Sequence, residues 1–194
     1  MTPDAHHSGE AVTTPSEPAK VLAVCTGNIC RSPAMEFYLK RAWGADAVVT
    51  SAGTIAATGW HIPAPMRAVE EAAGLVVPDH DPRQLDVAII EAQDLVLVTT
   101  HSHKEWIERH VGAVPPNTFL LTEAAALTTV ARRPVGDSLA DRIRTAASLL
   151  SAARSLDDEV HPDVDDPYLH GDEAYGTAMK EIAENLDVLI AWVG

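Results

Sequence analysis

The sequence predicts an α/β fold with three layers, in which a four-stranded parallel sheet carries helices on both faces. Three observations lead there. Short continuous apolar runs, such as residues 21–25 and 95–98, read as strands covered on both sides. Between such runs lie segments whose apolar residues recur at helical spacing. The two kinds alternate along the chain, which is the pattern of parallel strands joined by crossover helices. The 194 residues, 46% of them apolar, suffice for one domain with its own core. Only 5% are aromatic, so Ala, Val and Leu must do most of the packing.

Residues 1–18 are rich in Pro, Thr, Ser, Glu and His without periodicity and are expected to form a disordered tail, with no metal role for His6 and His7. A single domain is expected over 19–194. Residues 21–25 (Val-Leu-Ala-Val-Cys) form the first predicted strand. A helix follows over 32–43, with Pro33 suited to its first turn. Residues 48–51 are the second strand, closed by Ala52, Gly53 and Thr54. Helices are predicted over 65–73, stopped by Gly74, and over 85–92. The third strand is 95–98, followed by a helix over 101–110 and a fourth strand over 118–121. Leu139, Ile143, Ala146, Leu150 and Ala153 mark an amphipathic helix over 137–154, capped by Asp137 or Ser138. The last helix spans 173–192, with Ile182, Leu186, Leu189 and Ile190 turned inward. Ligands of such sheets bind beyond the carboxyl ends of the strands, and Cys25 stands at one of them.

The formal net charge of −14 argues against nucleic acid or an anionic membrane as partner. Residues 157–187 hold eleven Asp or Glu against one basic residue, Lys180, and most of these read as a solvated acidic face. No apolar run reaches the ~18 residues of a membrane span, and the N-terminus lacks a secretory layout. Two cysteines five residues apart do not brace a secreted scaffold, so a cytoplasmic location is expected. His101 and His103 stand two apart, do not share a helix face and have no third ligand, so no metal and no cofactor are expected.

Residues 25–32 read Cys-Thr-Gly-Asn-Ile-Cys-Arg-Ser between a strand and a helix. The peptide must turn sharply there, and its N–H groups have no ladder to join. Such amides converge into an anion-binding concavity to which the next helix adds partial positive charge. Gly27 and Asn28 tolerate left-handed backbone, and Arg31 brings a planar fork that matches two phosphate oxygens. The same field favours the thiolate of Cys25, to which Ser32 is able to donate a hydrogen bond. Cys-x5-Arg alone arises by chance; the order strand, Cys-x5-Arg-Ser, helix is far more specific.

The chain resembles the low-molecular-weight protein tyrosine phosphatases. The resemblance rests on Cys25 to Pro33, on Ser51-Ala52-Gly53-Thr54, on His80 with Arg83-Gln84-Leu85, and on Asp94-Leu95-Val96-Leu97. It closes with Asp166-Pro167-Tyr168 and the final helix, covering most of 20–122 and 163–193. It implies a phosphocysteine on Cys25, Arg31 as phosphate clamp, and Asp166 as general acid and then base; Asp165 is chemically equal, and the family pattern favours the Asp before Pro. It implies a phosphate loop of Thr26, Gly27, Asn28, Ile29, Cys30 and Ser32, held by Ser51 and His80, and an apolar rim of Ile29, Trp60 and Tyr168. Core packing is the competing reading of Trp60. Cys30 is implied as a reversible disulfide partner of Cys25, against an inert buried side chain. A Thr at position 29 would mark the branch resembling protein arginine phosphatases; Ile29 favours a phosphotyrosine protein or peptide. The segment at about 123–162, containing the 137–154 helix, is longer than the family's usual connection and is expected to be a packed insert. Arsenate reduction with an external thiol is the alternative reaction, a catalytically silent phospho-binding module the alternative class, and a monomer or weak dimer the expected state.

Overall fold

The computed structural model describes residues 17–194; the tail expected over 1–18, with His6 and His7, lies outside the described residues except for Glu17 and Pro18. Strands β1 (Ala19–Cys25), β2 (Ala47–Gly53), β3 (Leu95–Val98) and β4 (Thr118–Leu120) form one parallel sheet in the order β2-β1-β3-β4. The central strand explains the continuous apolar run. Successive side chains of a strand point to opposite faces, and here Val21 and Ala23 enter one core while Leu22 and Val24 enter the other. Leu95 and Leu97 divide from Val96 and Val98 in the same way.

The larger core lies beneath α1 (Arg31–Trp43), α2 (Ala64–Ala72), α5 (Leu121–Leu127), α6 (Leu139–Ala153) and α7 (Asp172–Val193). The smaller lies beneath α3 (Val87–Glu91) and α4 (His101–Val111). Ile143, Ala146 and Leu150 of α6 are fully or almost fully buried in the larger core, so this helix is part of the packing and not an appendage. Ser138 caps it by accepting from the Asp141 N–H, at 3.1 Å.

Two expectations need correction, and one helix was not foreseen. The helix foreseen over 85–92 begins at Val87, because the Leu85 N–H joins Gly53 O at 2.8 Å and Asp86 accepts from Ile89 N as the cap. The fourth strand ends at Leu120, since Leu121 opens α5, a helix that periodicity did not reveal. Its residues are buried all round, and a short buried strand running into a short buried helix has no change of pattern.

Candidate active site

Cys25 ends β1 and is 2% exposed. The chain then turns through residues 26–30 into α1. Thr54, Ile55 and Ala57 donate their N–H groups to the carbonyls of Cys25, Thr26 and Gly27 at 2.9–3.0 Å, and His80 Nε2 donates to Asn28 O at 2.9 Å. None of the described peptide bonds is cis. In a trans peptide the N–H points away from its carbonyl, so outward carbonyls turn the amides of residues 26–29 to the inside of the loop. The Asn28 N–H accordingly meets Cys25 Sγ at 3.2 Å. Asn28 has φ +55°, the left-handed conformation foreseen for it; Gly27 does not adopt a positive φ, which corrects its expected role. Gly53 is the glycine that the site needs, because a Cβ there would lie 2.5 Å from Thr26 O and 3.0 Å from Asn28 N.

Beneath the loop runs a chain of hydrogen bonds whose direction is fixed at its far end. Glu36, on α1, holds the Lys40 ammonium and accepts from Ser51 Oγ at 2.5 Å. Ser51 has thereby used its proton and accepts from Asn28 Nδ2 at 2.8 Å. Asn28 Nδ2 also donates to Ser32 Oγ at 2.9 Å, which leaves the Ser32 proton for Cys25 Sγ at 3.0 Å. Ala52 O competes for it only from 3.4 Å. Asn28 Oδ1 accepts from the Arg83 N–H at 2.8 Å. Two donors, the Asn28 N–H and the Ser32 hydroxyl, therefore converge on sulfur.

Arg31 is buried at the start of α1. Its Nη1 donates to Val164 O at 2.9 Å, and its Nη2 to Asp166 Oδ2 at 2.5 Å and Thr26 Oγ1 at 3.4 Å; its Nε has no partner among the described residues. The segment that delivers Asp166 is fastened to the strand ends. Val164 N donates to Thr99 O at 2.8 Å, Thr122 Oγ1 to Pro162 O at 2.7 Å, and His101 N to Asp163 Oδ1 at 2.8 Å. Both Asp165 and Asp166 are exposed and line a neighbouring groove with Glu181, but it is Asp166 that reaches Arg31 and also lines the cavity over Cys25.

These groups enclose a cavity of about 160 Å³ lined by Cys25, Arg31, Ile29, Asp166, Ala57 and Tyr168, with Thr26, Gly27 and Cys30 completing the wall. Trp60 is outside that lining. It is 59% exposed, which excludes core packing, and meets Tyr168 edge-on with ring centroids 6.4 Å apart. Cys25 and Cys30 are both free thiols; burial, with Cys25 adding to it, pushes the Cys30 thiol well up. Among the described residues no group of three or more His, Cys, Asp or Glu is arranged to hold a metal ion. Sequence reasoning missed Glu36 and His103. Glu36 follows Ser32 by four positions and so shares its helix face, a readable signal. His103 reaches Thr26 across the fold, Nε2 to Oγ1 at 3.0 Å, and no local pattern announces that.

Residues 20–129 match the family described as low molecular weight phosphotyrosine protein phosphatase. The chain belongs to that family. A curated member from Ralstonia nicotianae, named "Probable low molecular weight protein-tyrosine-phosphatase EpsP", is 35% identical over 105 residues, 53% of this chain and 70% of that protein. A Bacillus subtilis protein named protein-arginine-phosphatase is 35% identical over 107 residues, again 53% and 70% of the two chains. The structure of the YwlE arginine phosphatase from Geobacillus stearothermophilus superposes with a TM-score of 0.67 at 25% identity, covering 90% of this chain and 92% of that one. Phosphatase family and sheet topology thus agree with the resemblance read from the sequence. The family match stops at residue 129, before α6 and the Asp166 segment.

Proposed function

We propose that this phosphatase hydrolyses phosphotyrosine on proteins or peptides through a phosphocysteine formed on Cys25. The observation that carries the reading is the convergence of the Asn28 N–H and the Ser32 hydroxyl on Cys25 Sγ, in a cavity that also holds Arg31 and Asp166. The sulfur attacks phosphorus and the S–P bond forms. The P–O bond to the phenol breaks, and Asp166 hands its proton to the departing oxygen. Water then attacks phosphorus while Asp166 takes its proton, the S–P bond breaks, and inorganic phosphate leaves. A phenolate is a poor leaving group, and general acid help of this kind supplies ~10²–10⁴ in rate. The loop amides and Arg31 neutralise the equatorial oxygens, the largest electrostatic contribution in such sites. Arg31 Nε, buried and without a partner among the described residues, suits a phosphate oxygen.

Ile29, 6% exposed, puts apolar bulk in the wall of a narrow cavity. An aromatic ring fits such a wall better than a charged guanidinium does, and Tyr168 with Trp60 extends it outward. Arsenate reduction by an internal relay lacks its thiols, since the chain has two cysteines in all and Cys30 is buried in the loop. A nucleophilic thiol works only while reduced, so the reading puts the protein in the cytoplasm; among the described residues no helix is long and apolar enough to cross a membrane. All the groups come from one chain, so a monomer or weak dimer suffices, and the net charge of −14 leaves nucleic acid out.

The test compares wild type with Cys25→Ser, Arg31→Ala and Asp166→Ala on an aryl phosphate. Turnover should vanish in Cys25→Ser and fall by ~10²–10⁴ in Asp166→Ala. Retained turnover in Cys25→Ser overturns the reaction, and faster hydrolysis of phosphoarginine than of phosphotyrosine overturns the substrate.

A further inference from the structure

Thr26 follows the nucleophile, yet the mechanism above uses only its backbone. Thr26 lines the cavity, and among the described residues its Oγ1 has two partners, His103 Nε2 at 3.0 Å and Arg31 Nη2 at 3.4 Å. Which of these atoms donates can be worked out from the other side of the imidazole. His103 is 2% exposed in the first turn of α4, and its ring reaches back to the residues before the helix. Its Nδ1 receives the Thr100 N–H at 3.2 Å and sits 2.9 Å from Thr100 Oγ1 and 3.3 Å from Thr99 Oγ1. A backbone N–H only donates, so Nδ1 is an acceptor and the ring proton is on Nε2. Burial, with the nearby Arg31 adding to it, pushes the imidazole down to about 4, so no second proton is carried at neutral pH. The Nε2–H therefore donates to Thr26 Oγ1. A guanidinium also only donates. Both contacts of Oγ1 are thus received, and the hydroxyl must direct its own hydrogen elsewhere.

We propose that His103 is a positioning residue that turns the Thr26 hydroxyl hydrogen into the cavity, making Thr26 a side-chain donor to the phosphoryl group beside the loop amides and Arg31. The inference rests on reading the cavity as a phosphate site. It also gives α4 a link to the reaction centre that its sequence, with a histidine two residues after another, does not suggest. The hydroxyl serves a different purpose from that of Ser32, which is directed at sulfur by the chain from Glu36.

The experiment measures inorganic phosphate binding by titration calorimetry, independently of turnover, in wild type, Thr26→Val, Thr26→Ser, His103→Leu and the double variant Thr26→Val/His103→Leu, with Arg31→Ala alongside. A hydrogen bond to a charged group predicts about tenfold weaker binding in Thr26→Val. Thr26→Ser should bind within about twofold of wild type. His103→Leu should weaken binding to a similar extent, and the double variant should be no weaker than Thr26→Val alone, because the histidine acts through the hydroxyl. Wild-type affinity in Thr26→Val overturns the proposal, as do additive losses in the double variant, which would make His103 a merely structural support. The Thr26 pair decides the matter even where His103→Leu folds poorly. If Arg31→Ala also binds phosphate as wild type does, the phosphate-site reading itself falls; if only Arg31→Ala loses phosphate, that reading stands and this inference falls.

Discussion

Glu36 and Glu70 are buried glutamates in the same helical layer, and they have opposite surroundings. Glu36, on α1, is 8% exposed and holds Lys40 with one oxygen and Ser51 with the other. Glu70, on α2, is fully buried, and neither of its oxygens has a hydrogen-bond partner among the described residues. Partners convert one burial into direction: the Glu36 carboxylate directs the side-chain hydrogen bonds that run through Ser51, Asn28 and Ser32 to Cys25. Without partners, burial becomes a charge problem. It pushes the Glu70 carboxyl up to about 8, Arg67 offsetting this in part and Glu71 adding to it. The lesson is that a buried polar group gains its effect from what it faces and not from its depth.

The largest effect that would break this comparison concerns Glu70. The carboxyl of the unfolded chain ionises above about 4.5, while the folded one keeps its proton up to about 8. Stability is therefore full below pH 4.5 and is lost as pH rises through 8. A shift of that size corresponds to roughly 4–5 kcal/mol. Urea unfolding between pH 5 and 8.5 should show that decline in wild type and lack it in Glu70→Gln; parallel curves would mean that Glu70 has a partner after all. Next comes Glu36→Ala, which leaves Ser51 and Lys40 without their acceptor. It should cost about 3 kcal/mol and lower aryl phosphate turnover about tenfold, because Ser32 loses its imposed direction. Stability loss with unchanged turnover would limit Glu36 to packing.

A third buried carboxylate sharpens the rule. Glu123, in the first turn of α5, accepts from Arg154 Nε at 2.8 Å, from Lys104, and from the Leu120 N–H at 3.0 Å. Burial alone would push its carboxyl up, but the hydrogen bonds from Arg154 and Lys104 outweigh that and hold it below its ordinary value. Its contribution has the opposite sign to that of Glu70: present above the unfolded carboxyl range and lost as pH falls through the folded one. Glu123→Gln should cost about 2 kcal/mol near neutrality, with the difference from wild type closing in acid. The smallest effect is expected on exposed ground. Trp60→Ala should raise KM for phosphotyrosine peptides a few-fold and change stability by less than about 0.5 kcal/mol.

The sheet was legible because β1 and β3 are buried on both faces and carry unbroken apolar runs. The loop was legible because Cys25, Arg31 and Ser32 are close in sequence. What escaped depends on distant partners or on helical phase. Glu70 and Glu71 are adjacent and chemically equal, and only the rotation of α2 decides that Glu70 turns inward. His103 meets Thr26 through a contact 77 positions away. Gly27 was expected to use left-handed backbone, whereas the loop needs the missing side chain of Gly53, and the close approach of β2 to the loop is a tertiary fact.

That approach has a practical meaning for protein engineering. A library designed to alter what the pocket accepts has open ground at Ala57, Trp60 and Tyr168, which are partly or largely exposed. Position 53 offers none. A single added carbon would press on the backbone oxygen of Thr26 at 2.5 Å, so the cheapest mutation in size would be among the most damaging in outcome. Codons there are best left fixed, and selections that recover changes at 53 should be checked first for compensating shifts in the loop opposite.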